Sequence, residues 1–236
     1  MLKLKPITRM PIDPLETRRL KVVGWTILIN IVVVGLLTLA PWSDWKTGLA
    51  LNLLDNLLLL GFVLHRGDVF LARLVVFGLI VGFVELLADA WLVIHTKTLD
   101  YSIGGGPMIW KSPIWMPFAW EVVAVQFGCL GLWLRDRLGG LGLAAIGILG
   151  AINIPYYEEM AKRIHWWQYN GCRMISNTPY YIILGELGIA VTMALLAKPV
   201  RRGSWTMAIL CGIGGGIAIF IAYGLAYGIT DGLIKK

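Results

Sequence analysis

The chain has 236 residues, 58% of them hydrophobic and 15% charged, and carries a formal net charge of +7. Ordinary soluble domains are about 45–50% apolar and about 25% charged, so a water-soluble enzyme and a disordered chain are both excluded. The basic residues gather at the ends of apolar runs, where they act as orientation signals rather than as a nucleic-acid footprint, and no nucleic-acid partner is expected.

Residues 1–21 form a basic cytoplasmic segment with Lys3, Lys5, Arg9, Arg18, Arg19 and Lys21, and 22–236 reads as a single transmembrane domain. A helix needs about 20 mostly apolar residues to cross the bilayer core. Runs at about 22–41, 47–64, 69–95, 114–134, 139–156, 180–197 and 205–230 predict seven such spans. The first is too long for a signal-peptide core and lacks an A-x-A site, so it is an uncleaved anchor. The predicted fold class is therefore all-α, a polytopic membrane bundle. With the N-terminus inside, twelve basic residues fall in inner segments and eight in outer ones, which favours N-inside and C-outside. The expected location is the cell membrane, the bacterial inner membrane if the source is prokaryotic.

Taken along the chain, the polar residues inside the apolar runs carry the functional signal. Asp55 lies mid-span with Asn52 and Asn56 on the same helix face. Glu85 and Asp89 are four residues apart in the outer half of the third span. Two charges so placed are costly without water, so a proton held by the pair and available for donation is expected. Gly104-Gly-Gly-Pro107 is a turn, lacking the Lys-Ser/Thr of a phosphate loop. Glu121 lies in the fourth span, Asn153, Glu158 and Glu159 close the fifth, and Glu186 opens the sixth. The two longest loops, 96–113 and 157–179, both fall outside, on the side rich in Trp110, Trp115, Trp120, Trp166, Trp167 and Tyr169. At least three of the acids are expected to converge on one cavity closed by these loops.

Other chemistry finds no support. His65, His95 and His165 stand singly, so neither a metal nor a cofactor is expected, although His95 or His165 is on the right side to join the acids. The last span has no lysine for a retinal Schiff base, and no serine sits in a nucleophile elbow. Cys129, Cys172 and Cys211 are far apart and read as small buried hydrophobes. Gly212-Ile-Gly214-Gly-Gly216 is a small-residue packing face, through which a homo-oligomer or membrane complex would assemble.

Two stretches together suggest a family. One holds Glu85, Asp100-Tyr101, the Gly-Gly-Gly-Pro107 turn and Ser112-Pro-Ile-Trp-Met-Pro117-Phe-Ala-Trp120. The other holds Asn153-Ile-Pro155, Trp166-Trp167-Gln-Tyr169-Asn-Gly171 and Ser176-Asn177-Thr-Pro179. Over about residues 80–190 this order resembles the membrane carotenoid-biosynthesis family that includes the hydratases of bisanhydrobacterioruberin and γ-carotene. It departs from that family at Phe118, where Leu is expected, and at Asn153, where an Asp precedes the proline. Pro155-Tyr-Tyr-Glu158-Glu159 is also similar to the Pro-x-Glu-Glu motif of membrane lycopene cyclases, with one residue more. The resemblance implies acid-initiated hydration or cyclisation of an isoprenoid or carotenoid lipid. Glu85 or Asp89 would donate the proton, and Tyr101, Trp120, Trp166 and Trp167 would flank the cation. Glu121, Glu158 or Glu159 would take a proton back or orient water. Asn153, Tyr169, Asn177 and Glu186 would complete the substrate-binding set. A proton-coupled transporter and a structural or assembly subunit of a membrane complex are the competing readings.

Overall fold

A computed structural model describes residues 14–232; Lys3, Lys5, Arg9, Lys235 and Lys236 lie outside them. The described residues form seven α-helices, α1 (Pro14–Leu37), α2 (Trp45–Arg66), α3 (Val69–Trp91), α4 (Met116–Leu138), α5 (Gly140–Ile164), α6 (Tyr180–Arg202) and α7 (Trp205–Tyr227). Helices α3 and α7 each end in one π-helical turn, Leu92–Thr96 and Gly228–Gly232. All seven are long and apolar enough to cross a membrane, and the chain is a multi-pass α-helical bundle. Asp44, Asp68 and Ser204 cap α2, α3 and α7 by accepting backbone N–H bonds from Lys46, Leu71 and Met207.

Two helices exceed the apolar runs that predict them. Helix α1 starts at Pro14, ahead of residue 22, so Arg18, Arg19 and Lys21 ride on it. Proline suits a first turn, where its missing N–H costs nothing, and Glu16 faces the positive end of the helix dipole. Arg19 is drawn into the protein by Asp68, with Nε and Nη2 donating to the carboxylate at 2.7 and 3.1 Å. Helix α5 runs through Pro155 to Ile164 instead of ending near 156. A proline there forfeits one backbone bond, and helix–helix packing inside a membrane absorbs that loss. Glu158 and Glu159 therefore sit on a helix, about 100° apart around its axis, and not in a loop.

Helix α3 is central, held on two faces by glycine contacts. A Cβ at Gly78 would stand 2.6 Å from the Glu121 carbonyl oxygen of α4, and one at Gly82 would strike the Pro117 carbonyl. On the other side Gly212, Gly215 and Gly216 of α7 lie against Phe77, Ile80, Val81 and Val84. Small residues let helix backbones approach where lipid supplies no hydrophobic drive. The glycine face of α7 is thus a packing face within the chain, and any oligomer built on α7 has to use its other side.

At the end of the bundle that the basic-residue bias places outside, segments 97–115 and 165–179 join. Leu99 pairs with Tyr169 and Asp100 with Gln168 in a short antiparallel bridge. Gln168 Nε2 donates to Asp100 at 3.0 Å, and Asn170 N–H to the Thr98 carbonyl at 2.8 Å. Bonds from Ser102 and Gln168 hold the Asp100 carboxyl below its ordinary range. Trp166 Nε1 donates to the Asp44 carbonyl at 3.0 Å and ties this cover to the α1–α2 turn.

Gly82→Ala should destabilise the detergent-purified protein by about 1–3 kcal/mol or more, because backbone must move. Gly214→Ala, which meets open space, should leave the melting temperature unchanged. In a Cys172→Ala background, a membrane-impermeant thiol reagent should label Ser102→Cys in intact cells but label Arg66→Cys only after lysis; the opposite pattern would invert the orientation.

Candidate functional site

Three carboxyls meet in one layer of the bundle. Counting the π-helical turn that ends α3, Asp89, Glu158 and Glu186 each lie six or seven residues from the outer end of their helices, about 9–10.5 Å deep at 1.5 Å per residue. They line a single cavity of about 440 Å³. Its roof is aromatic, formed by Tyr101 and Trp115 from one covering segment and by Trp166, Trp167 and Tyr169 from the other. Trp166 and Trp167 stack with ring centres 6.1 Å apart, and Trp115 lies 5.4 and 6.0 Å from them. Asn30, Asn52, Gln126 and Asn153 also line the cavity, among apolar side chains of α1, α2, α4 and α5.

Each acid is held by donors from another part of the chain. Asp89 accepts from the Tyr101 hydroxyl and from Ser112 Oγ, both at 2.7 Å and both on Oδ2. Glu158 accepts from Trp167 Nε1 at 2.6 Å and from the Tyr169 hydroxyl at 3.2 Å. Glu186 accepts from the Tyr223 hydroxyl at 2.7 Å. Burial, with the Asp89 and Glu85 carboxyls beside it, pushes the Tyr101 phenol well above its ordinary range. Burial with Glu158 nearby does the same to Tyr169. Both phenols thus stay neutral and act as fixed donors.

Glu85 stands one helical turn below Asp89, fully buried, and neither of its oxygens makes a well-formed hydrogen bond. Its polar neighbours include Asp89, Glu186 and the Trp120 indole. An orphaned buried carboxyl marks a functional or strained position. Glu85 does not line the cavity; it backs Asp89, which does.

Of the residues the sequence puts forward, Asp89, Tyr101, Trp120, Asn153, Glu158, Trp166, Trp167, Tyr169 and Glu186 come together here. Glu121, Glu159 and Asn177 do not. Glu121 is buried where the α4 backbone packs on Gly78. Glu159 faces away from Glu158 and accepts from Arg163 at 2.9 Å, Ser176 at 2.8 Å and Asn177, and Asn177 also accepts from Lys162 at 2.5 Å. These form a surface brace for the covering segment. His95 lies in a separate groove with Trp91, Trp110 and Phe220, and His165 ends α5 in a left-handed conformation at φ 64°. Asp55 is held by Asn30 at 2.6 Å and leaves Oδ1 unpartnered, while Asn52 and Asn56 bond to carbonyls of their own helix. Sequence reasoning missed Ser112, Tyr223, Gln126 and Asn30 as site residues. Gln126 and Asn30 carry the signal used for the acids, a polar group in an apolar run. No group of His, Cys, Asp and Glu suited to a metal ion exists among the described residues.

The chain belongs to a family described as a domain of unknown function (DUF6989), whose model matches residues 86–230, more than half its length. The match takes in Asp89, Glu158 and Glu186 and stops short of Glu85, α1 and α2. No curated protein and no solved structure matches the chain.

Tyr223→Phe strips Glu186 of its donor and should cost about 1–3 kcal/mol. Glu159→Gln breaks a surface brace and should cost less than about 1 kcal/mol. Thermal unfolding of the two variants side by side measures the difference between a buried acid and an exposed one.

Proposed function

We propose that this DUF6989 member is a membrane enzyme that protonates a carbon–carbon double bond of an isoprenoid or carotenoid lipid, leading to hydration or ring closure. The observation that carries the reading is the convergence of three buried carboxyls on one aromatic-roofed cavity inside an apolar bundle. The residues behind the carotenoid-family resemblance, Tyr101, Trp120, Trp166, Trp167 and Tyr169, line that same cavity and add support.

Protonating an alkene takes a positioned acid that is not levelled by water. Asp89 Oδ2 is occupied by two donors, so Oδ1 is the oxygen that carries a transferable proton. Glu85 beneath it makes a second charge at this point expensive and favours keeping a proton on the pair. Transfer forms a carbon–hydrogen bond from the alkene π pair and leaves a cation on the neighbouring carbon. The faces of Trp115, Trp166 and Trp167 stabilise that cation. A water oxygen then bonds to it and sheds a proton, or a second alkene of the same chain closes on it and the ring cation so formed loses a proton from the neighbouring carbon. The proton released by either event passes to the carboxylate of Glu158 or Glu186, so the site keeps its proton count. Glu158 keeps the role the sequence suggests for it, and Glu186 takes the place of Glu121 and Glu159, neither of which reaches the cavity. The enzyme would serve the cell membrane, the bacterial inner membrane in a prokaryote, with its site in the outer half.

Asp89→Asn keeps shape and removes the proton, so isoprenoid product formation should fall about 10²–10⁴-fold. Its melting temperature should hold or rise, since an amide is easier to bury than a carboxylate. Glu159→Gln should leave yield unchanged. Mass spectrometry of lipid extracts from strains carrying each variant provides the measurement; unaltered product from Asp89→Asn in a folded protein would remove this mechanism.

A further inference from the structure

The cavity's polar lining is uneven in a way that acid chemistry alone does not require. Carboxyls enter from α3, α5 and α6, and carboxamides enter from α1, α2, α4 and α5 as Asn30, Asn52, Gln126 and Asn153. No lysine, arginine or histidine lines it among the described residues. A lipid with a diphosphate or carboxylate head would bring negative charge beside three carboxyls in a low-dielectric site with no cation to offset it. A plain hydrocarbon would fit the charge but leave the amides facing apolar surface, which costs free energy for each unpaired group.

The amides are not all consumed by the fold. Asn30 donates to Asp55 and to the Thr26 carbonyl, Asn52 to the Gly48 carbonyl and Gln126 to Thr26 Oγ1. In those bonds each spends N–H groups and keeps its carbonyl oxygen. The Asn153 side chain makes no hydrogen bond to any described residue and lines the cavity with both donor and acceptor to offer. It precedes Glu158 by five residues on α5, about 7.5 Å further toward the inner side.

We infer that the cavity takes a neutral isoprenoid carrying a hydroxyl or carbonyl oxygen, and that Asn153 seats this oxygen while a double bond of the chain lies against Asp89. The inference rests on reading the cavity as an isoprenoid site. It adds that prenyl diphosphates and unfunctionalised hydrocarbons are disfavoured.

Binding to the full-length protein in nanodiscs tests this, with tritiated geranylgeraniol displaced by unlabelled geranylgeraniol, by squalene or by geranylgeranyl diphosphate. Geranylgeraniol should bind about ten-fold or more tighter than squalene, the scale of one well-made hydrogen bond, and the diphosphate should not compete. Asn153→Leu should close most of that gap by weakening the alcohol without weakening squalene. Equal affinity for squalene, effective competition by the diphosphate, or an unchanged gap in folded Asn153→Leu would overturn the inference, and the wild-type order decides it alone if the variant does not fold. The expected order with no product from any isoprenoid would sink the catalytic reading and keep this one. Product without the order would do the reverse, and binding of none of the three would overturn both.

Discussion

A carboxyl group inside a bilayer has to find a proton, a hydrogen bond or water, and this chain keeps several there. Asp89 is met by Tyr101 and Ser112, Glu158 by Trp167 and Tyr169, and Glu186 by Tyr223. Four of those five donors lie on the covering segments 97–115 and 165–179. The segments fold down onto the bundle because they carry what the acids lack, and the acids stay buried because the segments arrive. Pairing of Leu99 with Tyr169 and of Asp100 with Gln168 then locks the two covers to each other. Fold and candidate site share the same bonds at this end of the molecule.

Close packing does the complementary work deeper in. Gly78 and Gly82 let α4 approach α3, and Gly212, Gly215 and Gly216 let α7 approach from the other side. Helix α3 is thereby held on two faces along residues 77–84, directly below Glu85 and Asp89. Helix α1 is held differently, by polar bonds: Glu16 to Arg137 at 2.8 Å, Arg19 to Asp68, Asn30 to Asp55 and its Ile31 carbonyl to Tyr156. The wall bearing the acids is packed, whereas the wall bearing α1 is pinned at points.

Legibility in the sequence followed the physics of each signal. Apolar length is set by bilayer thickness, and it located seven spans, the Gly-rich fifth being the weakest signal. Helix ends were less legible, because Arg19 becomes a buried residue only through Asp68, a contact across 49 positions, and because the apolar run fades near residue 156 while α5 continues to Ile164. The second misreading had a price at the site: with α5 ended early, Glu158 and Glu159 looked equivalent. On a continued helix they part by a hundred degrees, one to the cavity and one to Arg163. Glu121 has the composition of a site residue, and only the position of the α4 face against Gly78 takes it out. Tyr223 was hidden by the opposite effect, since a tyrosine in an apolar span gives no hint that it points at Glu186.

The indole roof has a kinetic meaning for the chemistry proposed. Trp166 is pinned to the α1–α2 turn by its bond to the Asp44 carbonyl, so the stacked rings form a fixed shutter rather than a loose flap. A carbocation under such a shutter survives as long as water is kept from it. Its lifetime, and with it the partition between quenching by water and closure of the chain on itself, is then governed by the fit of the shutter more than by the strength of the acid. In a family built this way, one scaffold would yield alcohols or rings according to how well three indole rings seal.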